Sequence, residues 1–156
     1  MSQLFNSKTI KQYIDALSGK IVFTNGCFDI LHPGHIRLLS DAKGFGDHLI
    51  VGVNSDDSIR KLKGSTRPIN NEKFRATMLL GLKAVSAVVI FSEQTPHHIL
   101  SQVKPAVHVK GGDYAATALP EYDQVIKQGG TVKIIPFLEG YSSTSVIQRI
   151  VELSLK

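Results

Sequence analysis

Two histidines, His32 and His35, stand three residues apart in the stretch FTNGCFDILHPGHIRLL, with Gly34 between them. A neutral imidazole can donate an N–H to a phosphoryl oxygen, and a protonated imidazole also neutralises negative charge. The stretch is an apolar strand segment followed by a polar loop and a helical pattern, and a helix that begins between the histidines would turn both toward one ligand. Gly34 leaves the free N–H groups of such a helix start accessible, and these groups attract phosphate. The stretch therefore predicts a phosphate site.

The same residues also allow roles other than phosphate binding. The histidines could cap the helix or be solvated in the loop, Cys27 could be a thiol nucleophile, and Asp29 with the two histidines could bind zinc. The flexible glycine segment suits the approach of phosphate, and in-line phosphoryl transfer requires no nucleophile from the enzyme. The two common phosphate signatures, G-x-x-x-x-G-K-[ST] and G-x-G-x-x-G at a strand–helix junction, are absent from the sequence. Phosphates would therefore be held in another way.

The densest group of positive charge, formed by Lys61, Lys63 and Arg67, follows the second apolar run of the chain. These side chains could bind the phosphate of a substrate or a departing pyrophosphate. Such a cluster is also typical of a merely solvated surface.

Two later polar segments, KGGDY and EGYSSTS, also follow apolar runs. The first combines a cation, two glycines that can adopt positive φ and an acid, so Gly111 and Asp113 are candidates for nucleotide or ribose contacts, or for a turn alone. In the second, Ser142, Ser143 and Thr144 precede an apolar helical stripe. Ordinary N-capping explains one hydroxyl, and three in succession favour a second helix start that binds phosphate.

The elements that must position these residues alternate between short apolar runs and helical spacing. Strands are predicted at residues 20–25, 48–54, 86–91, 106–111 and 131–137, and helices at 71–83, 96–103, 118–127 and 143–153. This alternation predicts an α/β fold: a single-domain, Rossmann-like, doubly wound parallel sheet of about five strands. Residues 1–19 are expected to form a peripheral N-terminal helix, and 20–156 the domain itself. Polar loops should then meet at the carboxyl ends of the strands.

Length and composition agree with one domain in a reducing compartment. The chain has 156 residues, 42% hydrophobic and 20% charged, as in ordinary soluble domains. No apolar run approaches the ~20 residues that span a bilayer, and the N-terminus lacks signal-peptide features, so a cytoplasmic protein without a membrane partner is expected. The net charge of +5 favours an anionic ligand. Nucleic acid is not expected as a partner, because the positive charges are scattered and aromatics are only 7%.

The stretch GCFDILHPGH resembles the H-x-G-H signature of the nucleotidyltransferase superfamily that includes cytidylyltransferases and pantetheine-phosphate adenylyltransferase. With VGVNSD, RPIN, KGGDY and GYSSTSVIQRI, nearly the whole chain resembles the heptose 1-phosphate adenylyltransferases of lipopolysaccharide-core precursor synthesis. In many bacteria this activity is the C-terminal half of a bifunctional protein whose other half is a sugar kinase. Since the chain has no room for a kinase, it resembles the stand-alone form, which implies a separate heptose kinase upstream in the pathway. Where the family commonly has S-T-T, Ser142, Ser143 and Thr144 keep a hydroxyl at each position.

The resemblance implies a nucleotidyltransferase domain that joins ATP and D-glycero-β-D-manno-heptose 1-phosphate, giving ADP-heptose and pyrophosphate. It implies catalytic roles for His32, His35 and Lys63. Nucleotide contacts are implied for Thr24, Asn25, Gly26, Phe28, Gly34, His35, Arg75, Gly111, Asp113, Ser142, Ser143 and Thr144. Contacts with the sugar phosphate are implied for Asp29, Asn54, Lys61 and Arg67.

Several points stay open at the level of sequence. Mg²⁺ is expected to enter with the ATP phosphates, and Asp29 could ligate it, contact the sugar phosphate or orient a histidine. A homodimer or higher homo-oligomer is expected only by analogy with relatives. Two other functions remain: a cytidylyltransferase for a polyol phosphate such as glycerol 3-phosphate, and a nucleotide sensor without catalysis.

Overall fold

A computed structural model describes residues 3–155 of the chain. Its strands are β1 Gln3–Asn6, β2 Ile21–Gly26, β3 His48–Asn54, β4 Ala87–Phe91, β5 Val107–Gly111 and β6 Thr131–Ile135. They form one parallel sheet in the order β1-β4-β3-β2-β5-β6.

Helices connect the strands on both sides of this sheet. They are α1 Ile10–Asp15, α2 Pro33–Lys43, α3 Asp56–Lys63, α4 Glu72–Leu80, α5 His97–Val103, α6 Tyr122–Lys127 and α7 Ser143–Ser154, with a 3₁₀ turn at Ala116–Ala118. Within residues 3–155, no helix combines the length and the apolar character needed to cross a bilayer.

The central strands are buried on both faces because apolar helices cover each side. Leu39 of α2 and Leu79 of α4 pack on one face, in a core that includes Val51 of β3. Ile10 of α1 and Leu100 of α5 pack on the other face, in a second core. Strands covered on both faces appear in sequence as continuous apolar runs, which is why β2 to β5 could be predicted. The predicted α/β class and doubly wound parallel sheet are confirmed.

The described part of the chain forms a sheet of six strands rather than about five, because residues 3–19 contain a strand as well as a helix where a peripheral helix over residues 1–19 was expected. Residues 1 and 2 of that prediction lie outside the described part of the chain. Gln3–Asn6 forms edge strand β1 beside β4, and α1 covers only Ile10–Asp15. The strand has four residues and is mostly exposed, so it lacks the long apolar run that marks a buried strand.

Helix α3 was not predicted either, and it occupies part of the loop expected after β3. The Ser55 side chain accepts the N–H of Ser58 and caps the helix, with Asp56 and Asp57 in the first turn. Ile59 is its one buried large apolar residue, and most of its other residues are polar or charged, so the segment resembles a polar loop in the sequence. Lys61 and Lys63 of the basic cluster therefore lie in the last turn of a helix.

The strand order places a topological switch point at β2, which pairs with β3 on one side and with β5 on the other. In open α/β sheets, ligands bind beyond the carboxyl ends of the strands at such a point. The loops after β2, β5 and β6 meet there.

Candidate active site

A cleft of about 470 Å³ lies beyond the carboxyl ends of β2, β5 and β6. It is called the α2–α7 cleft here because the starts of these two helices form two of its walls. Its lining consists of His32, Gly34, His35, Leu38, Lys63, Arg67, Gly111, Ile135, Pro136, Phe137, Leu138, Glu139, Gly140, Tyr141, Ser142, Ser143 and Thr144. Nine of the residues singled out from the sequence are brought together there: His32, Gly34, His35, Lys63, Arg67, Gly111, Ser142, Ser143 and Thr144.

Helix α2 begins between the two histidines, as their spacing predicted. His32 is the N-cap in an extended conformation, Pro33 takes the first helical position, and the N–H of His35 donates to the His32 carbonyl at 2.9 Å. A methyl group on Gly34 would lie 2.9 Å from Cε1 of His32. The glycine therefore lets the His32 ring lie against the helix start.

The two imidazole rings face each other with their centroids 3.8 Å apart. Burial lowers the pKa of His32, and burial, the neighbouring His32 and the charge of Lys63 lower the pKa of His35 to about 4. Both rings are therefore neutral near pH 7, so each has one N–H donor and one acceptor nitrogen. In both rings Nδ1 is buried without a hydrogen-bond partner among the described residues.

Phe28 supports the histidine pair from behind. Its ring is buried and lies 5.3 Å from that of His35, centroid to centroid. Its backbone adopts a φ of 48°, an unusual value for a residue with a side chain. A methyl group on Gly26 would come within 3.2 Å of the Phe28 ring. Gly26 and Phe28, both predicted to contact nucleotide, thus shape the loop under the histidines and do not line the cleft.

Asp29 is buried and accepts hydrogen bonds from the loop that contains Arg67, Ile69 and Asn70. Its Oδ2 accepts from Arg67 Nε and the Ile69 N–H, both at 2.9 Å, and its Oδ1 accepts the Asn70 N–H at 2.8 Å. Burial by itself raises the pKa of Asp29, but these hydrogen bonds and the charge of Arg67 hold it below its usual range. The carboxylate is thus directed at Arg67 and this loop, whereas a contact with Mg²⁺, sugar or histidine was expected from the sequence.

Arg75 is fully buried and lies outside the lining of the cleft. Its guanidinium donates to the carbonyl of Cys27 at 2.6 Å, to the carbonyl of Asn70 at 2.9 Å and to Oδ1 of Asp56 at 2.8 Å. In this arrangement its guanidinium is directed at these protein groups, whereas a nucleotide contact was expected from the sequence. It ties the loop after β2 to the starts of α3 and α4.

Five further residues that were predicted to bind ligand do not line the cleft. Thr24 is buried in β2, and the Asn54 amide donates to Ser58 Oγ at 3.1 Å. Asn25 contacts a lysine of β5, whereas Asp113 and Lys61 are exposed. Their positions at strand or helix ends made them candidates, but sequence does not give the direction of a side chain.

The start of α7 forms the opposite wall of the cleft. Ser142 caps the helix by accepting the N–H of Ser145 at 3.0 Å, and Ser145 Oγ accepts the N–H of Ser142 at 3.2 Å. Ser143 Oγ donates to the carbonyl of Ile30 at 3.3 Å and so joins α7 to the loop after β2. Capping accounts for Ser142, and the first N–H groups of the helix, together with Thr144, remain available to an anion.

The segment between β6 and α7 supplies cleft residues that the sequence did not reveal. Pro136, Phe137 and Leu138 were assigned in part to a strand predicted to run to residue 137, but the strand ends at Ile135. Proline has no N–H to continue the ladder, and this could have marked the strand end. Phe137 and Tyr141 are about half exposed in the cleft wall, where aromatic rings can stack on a base.

Within residues 3–155, no three His, Cys, Asp or Glu side chains come together as a metal site would require. The polar groups of the cleft are mainly N–H donors, hydroxyls and cations, arranged at two helix starts, and Glu139 is the one acid among the described lining residues. A parallel α/β sheet with such a cleft at its switch point belongs to the class of nucleotide-binding proteins. Residues 23–149 match the cytidylyltransferase-like family. The chain is therefore a member of this family, and it is a nucleotidyltransferase.

Curated proteins of similar sequence support this family assignment. The chain is 52% identical over 130 residues to the "Bifunctional protein HldE" of Koribacter versatilis, covering 83% of this chain and 27% of that protein. It is 51% identical over 131 residues to the protein of the same name from Haemophilus influenzae, covering 84% of this chain and 28% of that one. The chain thus spans just over a quarter of the length of these curated relatives.

Solved structures show the same fold. A lipopolysaccharide core biosynthesis protein from Thermoplasma volcanium is 31% identical, with a TM-score of 0.64 over 80% of this chain and 100% of that one. A pantoate-beta-alanine ligase from Francisella tularensis has a TM-score of 0.60, covering 100% of this chain and 80% of that one, at 18% identity. The second likeness shows the fold alone.

Proposed function

We propose that the protein is an adenylyltransferase that joins ATP and D-glycero-β-D-manno-heptose 1-phosphate to give ADP-heptose and pyrophosphate, a precursor step of lipopolysaccharide-core synthesis. The observation that carries this proposal is the pair of neutral imidazoles at the start of α2, facing the start of α7 across one cleft. The names of the HldE relatives and of the Thermoplasma protein support the sugar pathway.

The proposed reaction is a single in-line displacement. A phosphate oxygen of the sugar 1-phosphate uses a lone pair to form a bond to the α-phosphorus of ATP. The bond from the α-phosphorus to the α–β bridging oxygen breaks, and pyrophosphate leaves with that electron pair. No enzyme nucleophile takes part, so catalysis consists of positioning the reactants and stabilising the developing charge.

The described side chains supply donors for the charge that grows on the leaving pyrophosphate. A neutral His35 donates one N–H, and so does His32 beside it. The first N–H groups of α7 and the Lys63 ammonium face the same cleft. Such preorganised donors stabilise a transition state because they need no reorganisation while the charge develops.

Mg²⁺ would enter this reaction as its complex with ATP. The one acid considered as a protein ligand, Asp29, already accepts hydrogen bonds from Arg67 and two backbone N–H groups. The described residues therefore do not form a site for a resident metal, and no step is assigned to one.

The family description also favours a second candidate, a cytidylyltransferase for a polyol phosphate such as glycerol 3-phosphate. The two candidates differ in base and acceptor, which depend on the cleft walls around Phe137 and Tyr141 and not on the histidines. A nucleotide sensor would bind nucleotide and release no pyrophosphate with any acceptor.

The discriminating experiment measures pyrophosphate release with Mg²⁺, each of ATP, CTP, GTP and UTP, and a panel of sugar and polyol phosphates. ATP with the heptose 1-phosphate is expected to give the highest kcat/KM. A dominant rate with CTP and glycerol 3-phosphate would replace the proposal by the second candidate. Nucleotide binding without any turnover would favour the sensor.

A further inference from the structure

Lys110 is a cation at the switch point that the proposed reaction has not used. It stands at the end of β5 beside the end of β2, since the preceding pair in the register is Val109 with Thr24. Its Nζ donates to the carbonyl of Asn25 at 3.4 Å and to Asn25 Oδ1 at 3.3 Å. Both contacts are long for a charged donor, for which distances of about 2.8 Å are usual. The next residue, Gly111, lines the α2–α7 cleft, whereas Lys110 itself is not among the residues that line it.

The acid that acts on the charge of Lys110 is directed elsewhere. Glu121 is buried, and its Oε1 accepts from Nε2 of the buried His108 at 3.0 Å. The ion pairs formed within residues 3–155 include none with Lys110. Burial lowers the pKa of Lys110, while Glu121 and Cys27 act from a distance in the opposite direction. The ammonium is therefore half-buried with no counter-charge in contact. Burying a charge in this way is unfavourable in free energy unless an anion binds to it.

The proposed reaction needs a cation on the side of the attacking group. In an in-line displacement the attacking and leaving oxygens lie on opposite sides of the phosphorus, and here the attacking group is itself an anionic phosphate. The histidines and Lys63 are assigned to the leaving pyrophosphate. The charge of Arg67 is matched by Asp29 at 2.8 Å. Lys110 also stands at these strand ends, and its charge, unlike that of Arg67, is matched by no carboxylate contact within residues 3–155.

We propose that Lys110 binds the phosphate of the acceptor, on the side of the α-phosphorus opposite the leaving pyrophosphate. This inference rests on the proposed function, because it presumes an anionic acceptor. A charge-assisted hydrogen bond from Nζ would replace the two long contacts with Asn25 and offset the repulsion between two phosphates. No bond to Lys110 forms or breaks in the transfer.

The test compares Lys110→Met and Lys110→Arg with the wild type in steady-state kinetics. Lys110→Met is expected to raise the KM for the acceptor by about 10-fold or more, the loss typical of one hydrogen bond to a charged group. The KM for ATP should stay within about twofold, because the leaving-group side is intact. Lys110→Arg should recover part of the loss, since it restores the charge. An unchanged acceptor KM in folded Lys110→Met, or an equal rise in both KM values, would overturn the proposal.

Lys133→Met is the matched control. Lys133 is also a strand lysine, one strand away in β6 and paired in register with Val109, but its Nζ lies over the Phe45 ring at 5.3 Å. Removing this charge should leave both KM values unchanged. Thermal unfolding checks the fold, and Lys110→Met should melt no lower than the wild type because it removes an unmatched buried charge.

A binding measurement separates this proposal from the proposed function. Calorimetry with inorganic phosphate is done on protein saturated with an ATP analogue whose α–β bridging oxygen is a methylene group, so that no transfer can occur. The wild type should bind phosphate, and Lys110→Met should bind it at least about 10-fold more weakly. This result would support the phosphate site even if no sugar phosphate were turned over. Equal phosphate binding by both proteins, or none by the wild type, would overturn it.

Discussion

The imidazole rings of His32 and His35 lie against each other at the first turn of α2, with their centroids 3.8 Å apart and their planes tilted by 30°. Two imidazolium ions at this separation would repel each other strongly, and burial adds to the cost of either charge. The arrangement therefore selects the neutral form of both rings, and a neutral ring keeps one N–H donor while its other nitrogen can accept a hydrogen bond. One N–H donor from each ring, rather than two positive charges, is what this helix start offers to a phosphate.

Replacing His35 by alanine should lower kcat by at least about 10²-fold, because one aimed donor to the developing charge is lost. His35→Gln, which keeps an N–H donor, should retain more activity than His35→Ala. The exposed His98, whose ring contacts the Gln102 amide in α5, gives the control His98→Ala with unchanged kinetics. Circular dichroism confirms that the variants are folded. Wild-type kcat in folded His35→Ala would remove this residue from the mechanism.

The low pKa of His35 also predicts how stability depends on pH. Its pKa of about 4 in the folded protein lies below the ordinary histidine value of 6.5. Between these two pH values the unfolded chain therefore binds a proton at this residue and the folded protein does not. The free energy of unfolding should then fall as pH is lowered from 6.5 to 4 and be unaffected by this group above 6.5. The loss is about 2 kcal/mol, less than the full shift would give, because water reaches part of the ring.

Urea denaturation at a series of pH values between 7 and 4 measures this effect. His35→Gln should show a shallower decrease than the wild type over that range, because its side chain does not titrate. Asp29, whose pKa is below its usual range of about 4, contributes its own loss only at lower pH and equally in both proteins. Parallel curves for the two proteins would contradict a depressed pKa at His35.

Sequence and structure agree where the signal is local, and differ where it depends on distant parts of the chain. The start of α2 between His32 and His35 could be predicted, since proline, glycine and the apolar stripe stand next to one another in the sequence. The three carbonyl and carboxylate partners of Arg75 could not, because they lie 5, 19 and 48 residues away. The sequence identifies Arg75 as a cation, but only the fold shows that its guanidinium donates hydrogen bonds to groups inside the protein.

The Asp29–Arg67 pair tests whether Asp29 holds Arg67 in place or contacts a ligand or metal itself. Asp29→Asn removes the charge that Arg67 faces, and it should lower stability by about 2 kcal/mol and raise KM for substrates through a displaced Arg67. A double-mutant cycle with Arg67→Met measures the coupling by urea denaturation. The two changes should be clearly non-additive, and raising Mg²⁺ should not restore Asp29→Asn. Full rescue by Mg²⁺ would instead make Asp29 a metal ligand.

Gly34→Ala tests whether the His32 ring must lie against the helix start. The added methyl group would be 2.9 Å from Cε1 and 3.0 Å from Nδ1 of His32, closer than such atoms approach, so the ring has to turn away from His35. The helix itself should be preserved, since alanine favours α-helix over glycine by about 1 kcal/mol. We therefore expect kcat to fall by about 10-fold or more with little change in melting temperature. Gly81→Ala, at the end of α4 with its nearest contact at 3.4 Å, is the control that should leave kcat unchanged. If Gly34→Ala kept full activity, the close contact of the two rings would not be required for catalysis, and His35 alone would have to provide the donor.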